Sequence, residues 1–467
     1  MNKFFKRLAL LLAVLMIVSM MPVQLFADNS VAGEEQSNGT TQNKAVASYE
    51  LNGETISFEG ETIREVNTKM REYWEVDDAN GCGYNADKLP ADGTGALTWT
   101  IYGTVGQGEY LNSGALILPA LSGGYIHKNG TYQWKNITVV AGDENATIVS
   151  NDTFDVNHIY VSNGANTTTT FTGITLDGSL YVVPNGTVTF DGCVFKGMLR
   201  VPNGNGFVKV ANCQFVGDAD EDSTGKKNEY PFFFQAGGTL EFIGNTIAAD
   251  TYKRGLNVGG NTELNATIKN NTIGAVTAGY SAIQLSGSVT DAQIKDNKIS
   301  LDGTNTLTLH SSLISDGKIT KITVDGNTIT GNGYLIYDDA VANSKAFTSE
   351  NLTLTIGTNT VASTVDTTQG VKGSDKFGLS ETVATVVKDA LTPAYVATVN
   401  GTGYASLAEA IAAAQNGDTI YVSAGEYTTY GNTSPKKSLT FVGAGAGNTI
   451  WTIGDLSKNV GGEGNGD

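Results

Sequence analysis

The sequence predicts an all-β chain wound as a parallel β-solenoid. Three observations carry that expectation: a gapless internal repeat, a second strand recurring inside each repeat, and one asparagine fixed at the same place in five of them. The repeat comes first. Eight segments align without gaps, at residues 170–176, 189–195, 209–215, 241–247, 267–273, 293–299, 323–329 and 355–361. The common form is apolar, two polar, Asn or Cys, polar, apolar. The first apolar position falls at Phe171, Phe190, Val210, Phe242, Ile268, Ile294, Val324 and Ile356, a mean spacing of ~26 residues that suits one circuit of a solenoid. Leucine-rich repeats share the period, but their leucine pattern is absent.

The second strand begins near Leu180, Leu199, Phe233, Leu256, Ile283 and Leu313. The fixed asparagines are Asn245, Asn271, Asn297, Asn327 and Asn359. Stacked at the ~4.8 Å spacing of parallel strands, their amides both donate and accept, so each satisfies the turn above and below it. Ile174, Cys193 and Cys213 hold the same position in earlier repeats. The two cysteines are therefore expected as buried thiols, with a disulfide as the alternative.

Composition bounds the rest. The 467 residues carry 29 basic and 47 acidic side chains, a formal charge of −18, which argues against nucleic acid as a partner. With 57 glycines, only 8 prolines and 3 cysteines, neither collagen nor a disulfide-stapled miniprotein fits. Lys3, Lys6 and Arg7 precede an apolar run from Leu8 to Met21 and small residues up to Ala27. Residues 1–27 read as a secretory signal peptide, the run being shorter than the ~20 residues of a membrane span. Residues 28–48 read as a flexible lead. A secreted, acidic monomer without a transmembrane segment in its mature chain is expected, at the cell surface or in the cell wall.

This pattern resembles the right-handed parallel β-helix of the pectin-lyase-like superfamily, as found in surface proteins of Gram-positive bacteria. The resemblance spans residues 95–365 within a module at 49–390, whose helical stretch Glu61–Glu75 stands as an N-terminal cap. Residues 396–428 resemble the start of another such β-helix, with Ser406 and Glu409 forming a capping box, a helix from Leu407 to Gln415 and Gly417 closing it. Thr419-Ile420-Tyr421 parallels Thr100-Ile101-Tyr102, and 437–450 parallels 135–148 at an offset of 302. Residues 391–467 are thus expected to be the cap and first coils of a second, truncated β-helix.

Many enzymes of that superfamily act on acidic polysaccharides, but fold alone transfers no activity. The paired-aspartate, Gly-His-Gly and Trp-Ile-Asp-His motifs of its pectin-degrading families are missing. Alternation points Tyr181, Arg200, Gln235, Asn257 and Gln284 outward, and no carboxylate is among them, whereas a glycosidase needs two facing one bond. A lyase would use a base such as Arg200, Lys253 or Arg254. His127, His158 and His310 read as isolated, and Asp338-Asp339 as a turn. Tyr230, Tyr252, Tyr280 and Tyr334 each precede a strand and form a candidate exposed column for stacking on sugars; packing of the turns is the competing reading. In the loop 218–229, Asp218, Asp220, Asp222, Thr224 and Glu229 match the ligand spacing of a calcium-binding loop, against an acidic, solvated insertion. The candidate ligand-binding residues are Arg200, Gln235, Tyr252, Arg254, Asn257, Tyr280 and Gln284, with Ca²⁺ as the one candidate cofactor. The expected function is a surface stalk or adhesin that binds a polysaccharide or a host or cell-surface glycan. A polysaccharide lyase or glycoside hydrolase acting on acidic polysaccharides is the alternative.

Overall fold

The computed structural model describes residues 43–78, 81–106, 116–117, 126–127, 130–149, 159–217, 229–276, 279–314, 317–391, 396–404, 406–429 and 437–453. Residues 1–27, expected to be a signal peptide, and the four residues Asp218, Asp220, Asp222 and Thr224 lie outside them, as do His127 and His158 as side chains. Among the described residues strands dominate, and 28 of them join in one sheet whose pairing beyond the N-terminal edge is parallel. Among the described residues no helix is long and apolar enough to cross a membrane.

The strands fall into three ladders. In the first, Trp99, Val139, Phe171, Phe190, Val210, Phe242, Ile268, Ile294, Val324 and Ile356 lie in direct register. All eight residues of the sequence alignment are there, and the column extends two repeats toward the N-terminus. In the second ladder Val105, Ile148, Leu176, Phe195, Phe215, Ile247, Ile273, Ile299, Ile329 and Val361 are matched in the same way. These columns point into one apolar core, because period-2 alternation sends every other residue inward. Identical side chains therefore stack at the strand spacing: Phe171 on Phe190 at 4.9 Å and Phe195 on Phe215 at 4.7 Å between ring centroids.

The turn between the first two ladders is set by backbone chirality. Gly173, Gly192, Asn212, Gly244, Asn270, Asp296 and Gly326, each preceding the fixed position, all have φ between 54° and 69°. Only glycine, asparagine and aspartate visit that region at small cost, so the sequence shows no other residue type there until Thr358. The asparagines follow at once. Each backbone N–H donates to the amide oxygen one repeat on: Asn245 to Asn271 at 2.8 Å, Asn271 to Asn297 at 3.0 Å, Asn297 to Asn327 at 3.0 Å and Asn327 to Asn359 at 3.0 Å. Each Nδ2 donates to the next Oδ1 and to a carbonyl of the preceding repeat, as Asn297 does to Asn327 at 2.9 Å and Ile268 at 2.9 Å. Above them Cys193 and Cys213 are buried free thiols.

The third ladder corrects the sequence reading at two places. Leu180, Leu199, Leu256 and Ile283 take their expected positions, but Leu199 pairs with Phe232 and Ile283 with Leu307. Phe233, not Gln235, is the outward residue of its repeat, and Gln235 lies past the end of the Phe232–Phe234 strand. Three consecutive phenylalanines carry no alternation to fix the phase. Leu313 belongs to a 3-10 turn, Ser311–Leu313, rather than a strand.

At the N-terminal edge, Lys44–Leu51 runs antiparallel to both Glu54–Gly60 and Ala96–Tyr102; this strand begins inside the stretch assigned to the flexible lead. The helix Ile63–Trp74 follows, burying Ile63, Val66, Met70 and Trp74. Farther along, Ala397–Val399, Thr402–Tyr404, the helix Leu407–Ala413 and the strands Thr419–Val422 and Thr440–Gly443 share a separate small core. Ser406 Oγ accepts from the Glu409 N–H at 3.1 Å. The helix ends at Ala413, two residues early, because Ala414 is already extended. Thr419–Val422 pairs with Thr440–Gly443 as Ala96–Tyr102 pairs with Asn136–Ala141, but Ile420 matches Trp99 rather than Ile101, a shift of two that preserves facing.

Candidate functional site

The outward residues of the third ladder form one row: Tyr181, Arg200, Phe233, Asn257, Gln284, Thr308 and Tyr337, one per repeat. Arg200 is sandwiched by its neighbours, its guanidinium carbon 4.8 Å from the Tyr181 ring centroid and 5.4 Å from that of Phe233. A second sandwich lies beside the row. The Arg254 guanidinium sits 4.4 Å from the centroid of Tyr280 and 5.1 Å from that of Tyr230. It donates to the Tyr230 hydroxyl at 2.6 Å and pairs with Glu229 at 3.3 Å. Such stacking fixes a planar cation and both rings at once.

Next to this sandwich opens a groove of about 490 Å³, lined by Tyr230, Arg254, Tyr280, Gln284, Thr308, His310, Tyr337, Asp339 and Lys372 among others. Its far wall is the hairpin Gln369–Lys372/Asp375–Gly378. Asn305, 1% exposed, holds that wall in both directions. It accepts from the Val371 N–H at 2.9 Å and donates to the Val371 carbonyl at 2.7 Å. The approach also needs Gly279, whose φ is 87° and where a Cβ would lie 2.6 Å from the Gly373 carbonyl oxygen.

Asp339 anchors the floor. Its Oδ2 accepts from the Ser311 N–H at 3.1 Å and hydroxyl at 2.8 Å and faces His310 Nε2 at 3.5 Å. Its Oδ1 accepts from the Tyr337 hydroxyl at 3.2 Å and Lys372 Nζ at 3.4 Å. Burial alone would raise this carboxyl, but the Ser311 hydrogen bonds and the His310 and Lys372 charges outweigh it and hold it below its ordinary value. Burial, then the Asp339 charge and hydrogen bond, push the Tyr337 hydroxyl up, so it remains a donor. A depressed carboxyl contributes stability that is complete above its unfolded value and is lost as pH falls through its folded value. Asp339→Asn is therefore expected to flatten the loss of stability below the ordinary aspartate value of 3.8, read as a smaller difference between urea midpoints at pH 6 and pH 3. Equal differences in the two proteins would remove Asp339 from this role.

Of the residues singled out from sequence, Arg254, Tyr280 and Gln284 come together at the groove. Asn257 is buried in the same row, and Arg200 lies three repeats away, in the first sandwich. Gln235 is displaced as described. The tyrosines do not form one exposed column. Tyr280 is 38% exposed, but Tyr252 is 2% exposed, its hydroxyl bonded to the Gly217 N–H at 3.0 Å and the Gly197 carbonyl at 3.4 Å. Tyr230 is stacked by Arg254, and Tyr334 is half-buried with Lys376 over its ring. Glu229 meets Arg254, and no cluster of metal-ligating groups occurs among the described residues.

Sequence reasoning missed His310, Tyr337, Asp339 and Lys372. His310 is not isolated: Leu309 pairs with Asp338, which sets His310 beside Asp339 one rung over. That register was the available signal. Asp338-Asp339 does form a turn, Asp338 capping the short helix Asp339–Ala342; both carboxylates are buried, Asp339 in the groove lining and Asp338 against Ser380. No family model, curated protein or solved structure matches this chain.

Proposed function

We propose that this chain is a secreted or cell-wall-associated surface protein that binds glycan through the groove. The three ladders wind as a right-handed parallel β-helix of the pectin-lyase-like kind, with the Ile63–Trp74 helix covering its open first rung and residues 391–467 beginning a second. The observation that carries the reading is Tyr280: an aromatic ring at a groove, backed on one face by Arg254 and more than a third exposed. Such a ring stacks on the C–H face of a pyranose, while Gln284, His310 and Tyr337 offer hydroxyl partners of both senses. A rigid rod that presents this face away from the cell surface acts as a stalk or adhesin.

The test is retention of the full chain on immobilised plant, host and microbial polysaccharides, with mass spectrometry of the polymers afterwards. Intact polymer should be retained, and Tyr280→Ala should weaken retention at least tenfold, about 1.4 kcal/mol or more, the order of one lost stacking contact. Unchanged affinity in that variant would remove the groove from the reading. Shortened or unsaturated oligosaccharides would replace it with a lyase or hydrolase.

A further inference from the structure

We infer that the groove selects uncharged sugar residues over uronates, an inference that rests on the glycan-binding reading above. Its charges are already matched internally. Arg254 pairs with Glu229 at 3.3 Å, and Lys372 pairs with Asp339 at 3.4 Å. Two cations thus meet two carboxylates. A ligand carboxylate that approached Arg254 would meet Glu229, and one that approached Lys372 would meet Asp339. In each case the attraction of the cation is set against repulsion from a carboxylate one contact away.

Asp339 cannot withdraw. Its side chain is 3% exposed, and both oxygens are held, by Ser311 on one side and Tyr337 on the other. The negative charge is therefore a fixed part of the floor. The whole chain, at −18, adds long-range repulsion toward a polyanion. A neutral sugar meets none of this. Its hydroxyls find Gln284, His310 and Tyr337, and its C–H face finds Tyr280.

The experiment compares alginate, polygalacturonate and hyaluronan, each beside its carboxyl-reduced form, with a panel of neutral glycans, for binding to the full chain at low ionic strength. At least about tenfold tighter binding of a reduced polymer than of its parent is expected, the order of one close like-charge contact at a protein surface. Glu229→Gln leaves Arg254 without its carboxylate partner and should narrow that ratio to within about threefold. Equal or tighter binding of the uronate form by the unmodified protein overturns the selectivity while leaving glycan binding in place. A ratio unmoved by Glu229→Gln overturns the role given to the Arg254 pair. Binding to no member of either series overturns the glycan-binding reading itself.

Discussion

Asn297→Ala should destabilise the stack by about 3–5 kcal/mol, since it orphans two or three buried polar groups at ~1–3 kcal/mol each. Asn297 is fully buried. Its Oδ1 takes the Asn271 N–H and Nδ2, and its Nδ2 serves Ile268 and Asn327. Truncation strands the Asn271 donors and the Ile268 carbonyl with no water in reach. Asn359→Ala removes the same kinds of bond at the half-exposed end of the column, where water replaces them, so a loss below about 1.5 kcal/mol is expected. Repeat arrays melt by neighbouring units rather than all at once. The sharpest readout is therefore hydrogen exchange at the Asn271 amide, beside the urea midpoint. Equal costs at Asn297 and Asn359 would mean that the asparagines decorate the turns without holding them.

Asp338→Ala should cost a similar ~3–5 kcal/mol and lower glycan affinity with it. Asp338 is fully buried and bridges two elements. Oδ1 caps the turn at the Ala340 N–H, 3.1 Å away, while Oδ2 accepts from the Ser380 N–H at 3.0 Å and hydroxyl at 2.5 Å, just ahead of the helix Glu381–Leu391. Removing the carboxylate strands three donors. Because Tyr337 and Asp339 are its chain neighbours, loosening it also loosens the groove floor. Ser380→Ala keeps the turn cap and one of the two Ser380 bonds, so only about 1 kcal/mol should be lost and affinity should hold. If Asp338→Ala leaves affinity intact, the groove does not depend on this anchor.

These residues also mark how far the sequence could be read. Phe171 through Ile356 and Asn245 through Asn359 were legible because a repeat writes the same constraint many times: each rung must fill the same slice of core and satisfy the same turn. The left-handed residue before the asparagine was visible only as a polar position, although its restriction to Gly, Asn and Asp is the trace of positive φ. Where the pattern is locally ambiguous the phase slips, as at Phe232–Phe234 and at Leu307 against Leu313. The groove was half legible. Gln284 follows from strand alternation, Tyr280 from its place just before a strand and Arg254 from its chemistry as a base, but Tyr252 is buried by partners 35 and 55 residues away. His310, Asp339 and Lys372 meet only through register between repeats of unequal length and through a hairpin beyond them. Local pattern records which way a side chain points, and says little about what the next rung places opposite it.

The most direct measurement is hydrogen exchange of the full chain with and without a retained polysaccharide. Groove binding predicts protection gathered at 279–284, 308–313 and 369–373, absent in Tyr280→Ala. Protection centred instead on the Tyr181, Arg200 and Phe233 rungs, or on 397–453, would contradict it.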